Sequence, residues 1–123
     1  MANTKDTVDS FNRALEKKDF ATARALLADD LHFEGPIDRF DRADDYVAAI
    51  TRLYGMVNGV QHQATIVEGD EVAVFYVLDT PVAKAPVAEW CRVRDGRIAE
   101  LRAYFDARPF APPGHSATTE ARA

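Results

Sequence analysis

The spacing of apolar residues predicts two helices at the start of the chain. Val8, Phe11 and Leu15 recur at helical spacing within residues 4–18, with acidic residues early and lysines late, which matches the helix dipole. Asp19 is the predicted N-cap of a second helix that ends at Asp29-Asp30. The predicted buried stripe of this second helix is Phe20, Ala23, Leu26 and Leu27.

A short strand and a third helix follow. Residues 31–34 alternate apolar and polar before Gly35-Pro36, which predicts a strand that ends at the proline. The third helix is predicted from an Asp41 cap to Gly59, with Tyr46, Ile50, Leu53, Tyr54 and Val57 on its apolar face. Such an apolar face is expected to pack against a sheet.

Four further strands are predicted over residues 60–68, 71–79, 87–94 and 97–106, with a loop from Pro81 to Pro86 and a tight Asp95-Gly96 turn. Short connections join antiparallel neighbours, so we expect an α+β fold in which three helices pack on one face of a curved, mainly antiparallel sheet. Residues 1–110 form the predicted domain. Residues 111–123 lack periodicity and are predicted to be a disordered tail.

Composition excludes several classes of function. A single domain of 123 residues carries fifteen Lys and Arg against twenty Asp and Glu, a net charge of -5 without a basic run, so no nucleic acid or membrane surface is expected as a partner. Cys91 is the one cysteine, which excludes an internal disulfide, and with only three histidines no metal site is expected. Without an apolar stretch of signal-peptide length, the expected location is cytoplasmic.

The order of elements resembles the cone-shaped fold of the nuclear transport factor 2-like superfamily, which includes SnoaL-like polyketide cyclases, ketosteroid isomerases and limonene epoxide hydrolases. The residues that carry the resemblance are Asp19-Phe20-Ala21, Ala28-Asp29-Asp30-Leu31, residues 93–98 and Tyr104-Phe105-Asp106. It covers residues 6–110. Because members of this superfamily catalyse different reactions or only bind ligands, the resemblance implies the fold more strongly than the function.

The resemblance implies that Asp106 points into the cone and handles a proton, with Tyr104 or Tyr76 as a hydrogen-bond donor. Residues two apart on a strand share a face, which places Arg102, Tyr104 and Asp106 together. A carboxyl group among aromatic walls would have a raised pKa. The residues alone leave a second interpretation open, in which Asp106 ends the strand and pairs with Arg102 or Arg108.

Other family positions have lost their acidic or basic groups. The tyrosine and the base of the ketosteroid isomerases correspond to Phe11 and Gly35, and the arginine and second aspartate of the epoxide hydrolases correspond to Tyr76 and Leu78. Neither mechanism is therefore expected in the form that those families use. The predicted ligand-binding residues are Phe33, Tyr54, Leu78, Ala88, Trp90 and Phe11, each of which could equally belong to the core.

Three functions follow as hypotheses. The first is a cofactor-free isomerase, cyclase or lyase that acts on a carbonyl compound with Asp106 as acid and base. The second is a non-catalytic module that binds a small apolar or aromatic ligand. The third is a dimerisation unit whose interior is filled by side chains, and in each case a homodimer through the sheet is expected.

Overall fold

The structure is a computed structural model that describes residues 3–110. The tail predicted for residues 111–123 lies outside the described residues. The elements, in chain order, are α1 (Thr4–Glu16), α2 (Phe20–Ala25), β1 (Leu27–Glu34), β2 (Arg39–Phe40), α3 (Ala43–Tyr54), β3 (Gly59–Glu68), β4 (Glu71–Asp79), β5 (Lys84–Arg94), β6 (Arg97–Tyr104) and a terminal 3-10 turn (Arg108–Phe110).

The strands form one mixed sheet in the order β2-β1-β6-β5-β4-β3. β1 runs parallel to β6, and the other neighbouring pairs are antiparallel. The sequence therefore predicted the α+β class with three helices, and the parallel β1–β6 pair makes the sheet mixed. A cone shape stays a prediction.

The second helix is shorter than its apolar stripe predicts. α2 ends at Ala25, and Leu27 is the first residue of β1 instead of the last buried residue of the helix. Leu27 pairs with Ile98 of β6, and the Ile98 amide donates to the Leu26 carbonyl at 2.8 Å. Pairing with a central strand satisfies the backbone and buries Leu27 completely, which outweighs a further turn of helix.

The third helix begins later than predicted because its expected cap is engaged elsewhere. α3 starts at Ala43 after Arg42, whose side chain makes no capping hydrogen bond. The Asp41 carboxylate instead lies 2.7 Å from Nδ1 of His32 on β1. Just before this contact, Phe40 pairs with Phe33 in the two-residue strand β2, which the sequence pattern did not reveal.

The side chain of His32 on β1 contacts the segment that precedes α3 through Asp41. Its Nε2 lies 3.3 Å from Glu34, which Arg39 also contacts at 3.2 Å. The hydrogen bond to Asp41, and then that to Glu34, raises the pKa of His32.

Because the pKa of His32 is raised in the folded state, its contribution to stability is complete below the unfolded value of about 6.5 and is lost as pH rises through the folded value. We expect a contribution of about 0.2–1 kcal/mol, since the carboxylates are largely solvated. The measurement is urea unfolding of wild type and His32→Gln at about pH 5.5 and about pH 8.5. A difference between the two proteins that stays constant with pH would contradict this contribution, and His62→Gln, at an exposed position, is the matched control.

The last hairpins agree closely with the sequence. Asp95 and Gly96 both have positive φ (53° and 77°), as the predicted tight turn between β5 and β6 requires. β5 starts at Lys84, three residues earlier than predicted, and so includes Pro86. The proline pairs with Val77 of β4, whereas pairing with β6 begins only at Ala88, so its missing N–H removes no bond to β6.

The core lies between the helices and one face of the sheet. Val8, Phe11 and Leu15 of α1 are buried against strand residues such as Leu31 and Leu101. Phe11 is fully buried and belongs to this core; the predicted role of Phe11 in lining a ligand pocket is corrected accordingly. Within residues 3–110, no helix combines the length and the apolar character needed to cross a membrane.

Candidate functional site

A cavity of about 500 Å³ lies between α3 and the face of the sheet that the helices cover. Its lining is mostly apolar and rich in aromatic rings. The aromatic residues are Phe33, Phe40, Tyr46, Tyr54, Tyr76, Phe105 and Phe110. A concave, mainly apolar space of this size is typical of small-molecule sites.

The aromatic wall on the β1 side is tightly packed. The ring centroids of Phe33 and Tyr46 are 4.7 Å apart, and those of Phe33 and Phe40 are 6.0 Å apart. A Cβ atom on Gly35 would lie 2.9 Å from the Phe33 ring, so only glycine lets the chain pass this close. Gly35 therefore shapes the wall at the position where the ketosteroid isomerase pattern would have a base.

The open side of the cavity is formed by exposed residues of two segments. Pro36, Ile37 and Asp38 come from the loop between β1 and β2, and Arg52 and Met56 come from the end of α3 and the turn after it. Ile37 is 54% exposed, which is unusual for so large an apolar side chain. This opening, called the mouth below, is the accessible side of the cavity.

Glu89 of β5 places a carboxyl group inside the cavity. Glu89 is 4% exposed, and its Oε1 accepts no hydrogen bond from any residue that the structure describes. Its strand neighbours are Val74 on β4 and Ala103 on β6, neither of which can neutralise a charge. Burial raises the pKa of Glu89 to about 7, because desolvation disfavours the carboxylate.

Three tyrosines line the same cavity as this carboxyl group. Burial raises the pKa of Tyr46, Tyr54 and Tyr76, and the negative charge of Glu89 raises each of them further. Their hydroxyls therefore stay protonated at neutral pH and can donate hydrogen bonds. The cavity thus combines one ionisable acid with several neutral donors.

Four of the predicted site residues come together in this cavity: Phe33, Tyr54, Tyr76 and Leu78. Tyr76 and Leu78 lie on the inward face of β4, opposite Val87 and Ala85 of β5. Their contact with a ligand stays a prediction.

The structure places Asp106 and Tyr104 outside the cavity. Tyr104 is 56% exposed, while Leu101, Ala103 and Phe105 occupy the inward positions. Asp106 is exposed and accepts four hydrogen bonds from Arg108, at 2.7–3.2 Å. This side-chain pairing lowers the pKa of Asp106 to about 2, the opposite of the rise expected for a pocket acid. The predicted placement of both residues is corrected: Asp106 pairs with Arg108, as the second interpretation has it.

Ala88 and Trp90 also lie on the outer face of the sheet. The Trp90 ring is flanked by the guanidinium groups of Arg92 and Arg102, 5.2 and 4.9 Å from its centroid, and its Nε1 donates to Glu71 at 3.0 Å. Their predicted place in the pocket is corrected, because the inward positions of β5 are the odd-numbered ones, such as Val87 and Glu89. A homodimer through this outer face stays a prediction.

The sequence analysis missed Glu89, although the chain contains a signal for it. Val87, Cys91 and Val93 share its side of the predicted strand and are all apolar. An acid in the middle of such an apolar face is either misplaced or functional. By contrast, the polar residues Arg102 and Tyr104 on one side of β6 are typical of a strand face that is exposed to solvent.

Three helices on a mixed sheet, enclosing an aromatic cavity with a buried acid, define a small α+β protein built around a ligand-sized site. The SnoaL-like domain family model matches residues 8–101, and the chain belongs to this family. The resemblance found in the sequence is confirmed. Among proteins with curated functions, none matches this chain in sequence.

Solved structures show the same fold. A protein from Kribbella flavida is 30% identical, with a TM-score of 0.81 over 96% of both chains. An LEH-like epoxide hydrolase from M. tuberculosis is 28% identical, with a TM-score of 0.69 over 84% of this chain and 82% of that one. An NTF2-like protein of unknown function from Cytophaga hutchinsonii is 22% identical, with a TM-score of 0.80 over 89% and 96% of the two chains, and shows the fold alone.

Proposed function

We propose that this protein is an enzyme that moves a proton on the carbon next to a carbonyl group of a small, mostly apolar or aromatic compound, with Glu89 as the acid and base. The single observation that carries this function is the Glu89 carboxyl group, buried in a ligand-sized cavity with a free Oε1. A carboxyl group without partners is costly to bury, so its retention favours a role in chemistry.

The pKa of Glu89 suits this reaction. At a value of about 7, both the carboxylate and the acid are present near neutral pH. The carboxylate removes a proton from the substrate carbon, the resulting acid exchanges its proton with water, and it then delivers a proton to another position of the same molecule. The reaction is then an isomerisation that consumes no other reactant.

The tyrosines supply the second requirement of this chemistry. Removing a proton next to a carbonyl leaves negative charge on its oxygen, which needs a hydrogen-bond donor in a dry environment. Tyr46, Tyr54 and Tyr76 have neutral hydroxyls and line the cavity that holds Glu89, and Tyr76 shares the inward sheet face with it. We assign the donor role to Tyr76, the residue that the sequence analysis also singled out.

Epoxide hydrolysis is less well supported. This activity is named for the M. tuberculosis relative. The family resemblance implies an arginine and a second aspartate where this chain has Tyr76 and Leu78, and neither side chain can replace them at neutral pH.

The test uses β-tetralone, a bicyclic aromatic ketone, as a probe that needs no knowledge of the natural substrate. In D₂O, the protein is expected to accelerate the exchange of its α-protons for deuterium, followed by proton NMR. Carbon-detected NMR of the Glu89 carboxyl group is expected to give a pKa near 7 and a shift when β-tetralone binds. Glu89→Gln assigns the signal.

The outcomes separate the candidate functions. Binding together with exchange supports the enzyme. Binding without exchange contradicts it and favours a ligand-binding module. A Glu89 carboxyl group that titrates near pH 4 contradicts the premise that it is buried in a dry cavity.

A further inference from the structure

A second cavity, of about 240 Å³, lies on the other side of the site, between α1 and strands β3 and β4. We call it the polar cleft. Its polar lining residues are Asp9, Asn12, Arg13, Glu16 and His62. Asp9, Asn12, Arg13 and Glu16 follow helical spacing, so α1 turns one polar stripe towards the cleft.

Tyr54 and Tyr76 line both cavities. No other residue of the described chain is shared between the two linings. Tyr76 pairs with His62 across β3 and β4, which puts the two side chains on the same face of the sheet. Two phenol side chains therefore form the partition between the polar cleft and the aromatic cavity.

The charges on both sides act on this partition. Burial raises the pKa of Tyr54, and the negative charges of Glu89 and then Glu16 raise it further. Tyr54 also lines both the cavity that holds Glu89 and the cleft that holds Glu16. A hydroxyl in this position can accept a proton from one side while donating its own to the other.

The mouth is unsuited to proton supply once a ligand is bound. It presents the charged Asp38 and Arg52 as well as the apolar Ile37 and Met56, but a ligand that enters there fills the apolar cavity and excludes water from it. An acid that exchanges protons in each reaction cycle then needs a route that the ligand does not block.

We propose that the polar cleft is a separate water entrance that exchanges protons with Glu89 through the hydroxyls of Tyr54 and Tyr76, leaving the mouth to the ligand. This inference rests on the proposed function, in which Glu89 takes up and releases a proton. When a side-chain rotation brings a tyrosine hydroxyl to the Glu89 carboxyl group, the proton passes from Glu89 to the tyrosine oxygen as the tyrosine proton leaves for cleft water, so no bond other than O–H bonds forms or breaks.

The experiment closes each entrance separately in the full chain. Val60 lines only the polar cleft and Ala49 lines only the aromatic cavity, so Val60→Trp and Ala49→Trp are matched obstructions. Proton exchange at Glu89 is followed with the aromatic cavity filled by saturating β-tetralone, by time-resolved infrared spectroscopy of the Glu89 carboxyl band after a pH jump from about 6 to about 8. β-Tetralone affinity is measured in parallel.

We expect opposite effects from the two obstructions. Val60→Trp slows proton exchange at Glu89 about tenfold or more and changes β-tetralone affinity less than about twofold. Ala49→Trp leaves proton exchange at the wild-type rate and weakens β-tetralone binding about tenfold or more. If Val60→Trp fails to fold by circular dichroism, Val60→Phe replaces it.

Variants of the partition test the relay. Tyr54→Phe and Tyr76→Phe each remove a hydroxyl and keep the ring, and both are expected to slow exchange at Glu89. Tyr104→Phe removes an exposed hydroxyl on the outer face of the sheet that lines neither cavity, and its exchange rate is expected to match that of wild type.

Two results would overturn the inference. Exchange that is slowed by Ala49→Trp and not by a Val60 obstruction places the route at the mouth. Exchange that no variant slows shows that the cleft and its tyrosines carry no proton flow. In both cases Glu89 still titrates near neutral pH, whereas a carboxyl band that titrates near pH 4 contradicts the proposed function itself.

Discussion

Glu89→Gln is expected to lower the rate of deuterium exchange into β-tetralone by about 10²- to 10⁴-fold, the usual contribution of a positioned acid or base. Glutamine has nearly the same shape, so the cavity and its aromatic walls stay in place. β-Tetralone affinity is expected to change far less than the rate. The measurement is exchange followed by NMR, with binding determined separately.

The pH dependence of the exchange rate gives a second readout. Because the carboxylate removes the proton in the first step, the rate is expected to fall as pH decreases through about 7, the pKa of Glu89. Glu89→Asp keeps the charge but withdraws the carboxyl group by one methylene. It is expected to retain part of the activity, because proton transfer depends steeply on distance.

Asp106→Asn is the matched control. Asp106 is exposed and paired with Arg108, so the variant is expected to exchange β-tetralone within about twofold of the wild-type rate. Wild-type exchange in Glu89→Gln would falsify the proposed role of Glu89. Loss of exchange in Asp106→Asn alone would return the proton-handling role to the end of β6.

The free energy of unfolding is expected to fall by roughly 2 to 3 kcal/mol between about pH 5 and about pH 8.5 because of Glu89 alone. The pKa of this buried side chain is about 7 in the folded protein and about 4.3 in the unfolded chain. Between these values the folded state holds a proton that the unfolded state has released. Raising the pH therefore favours unfolding until both states are ionised.

Urea unfolding of wild type and Glu89→Gln across this pH range measures the effect. Glutamine does not titrate, so the difference in stability between the two proteins should shift by roughly 2 to 3 kcal/mol in favour of the variant as pH rises. His32 also loses stabilisation in this direction, but it is present in both proteins and cancels. A pH-independent difference would show that Glu89 is solvated in the folded state.

Local pattern was sufficient for most of the secondary structure. The four long strands and the Asp95-Gly96 turn follow from alternation and turn residues, and the structure reproduces them with small shifts at their ends. The errors came where tertiary contacts compete with local preference. Asp41 bonds to His32 instead of capping α3, and Leu27 joins the parallel pair with β6 instead of extending α2.

The assignment of the site residues depended on which face of each strand points inward. The sequence shows that Tyr104 and Asp106 share one face and Ala103 and Phe105 the other, but alternation alone does not say which face the helices cover. Assigning the polar face of β6 to the cavity also required Ala88 and Trp90 to point inward. Because β5 and β6 are paired, choosing the wrong inward face for one strand also placed the residues of the other strand on the wrong side of the sheet.

The sequence by itself determined the α+β class and the family, because these depend on local periodicity and on motifs within short segments, and the family resemblance placed Tyr76 and Leu78 on the inward face of β4. Only the tertiary structure showed which carboxyl group is the buried acid of the cavity, because burial depends on which elements pack together. Glu89 stands among apolar residues on its side of β5, but its pKa is raised only because the helices and neighbouring strands remove its water. Asp106 keeps its water and Arg108, and with them the properties of a surface carboxylate.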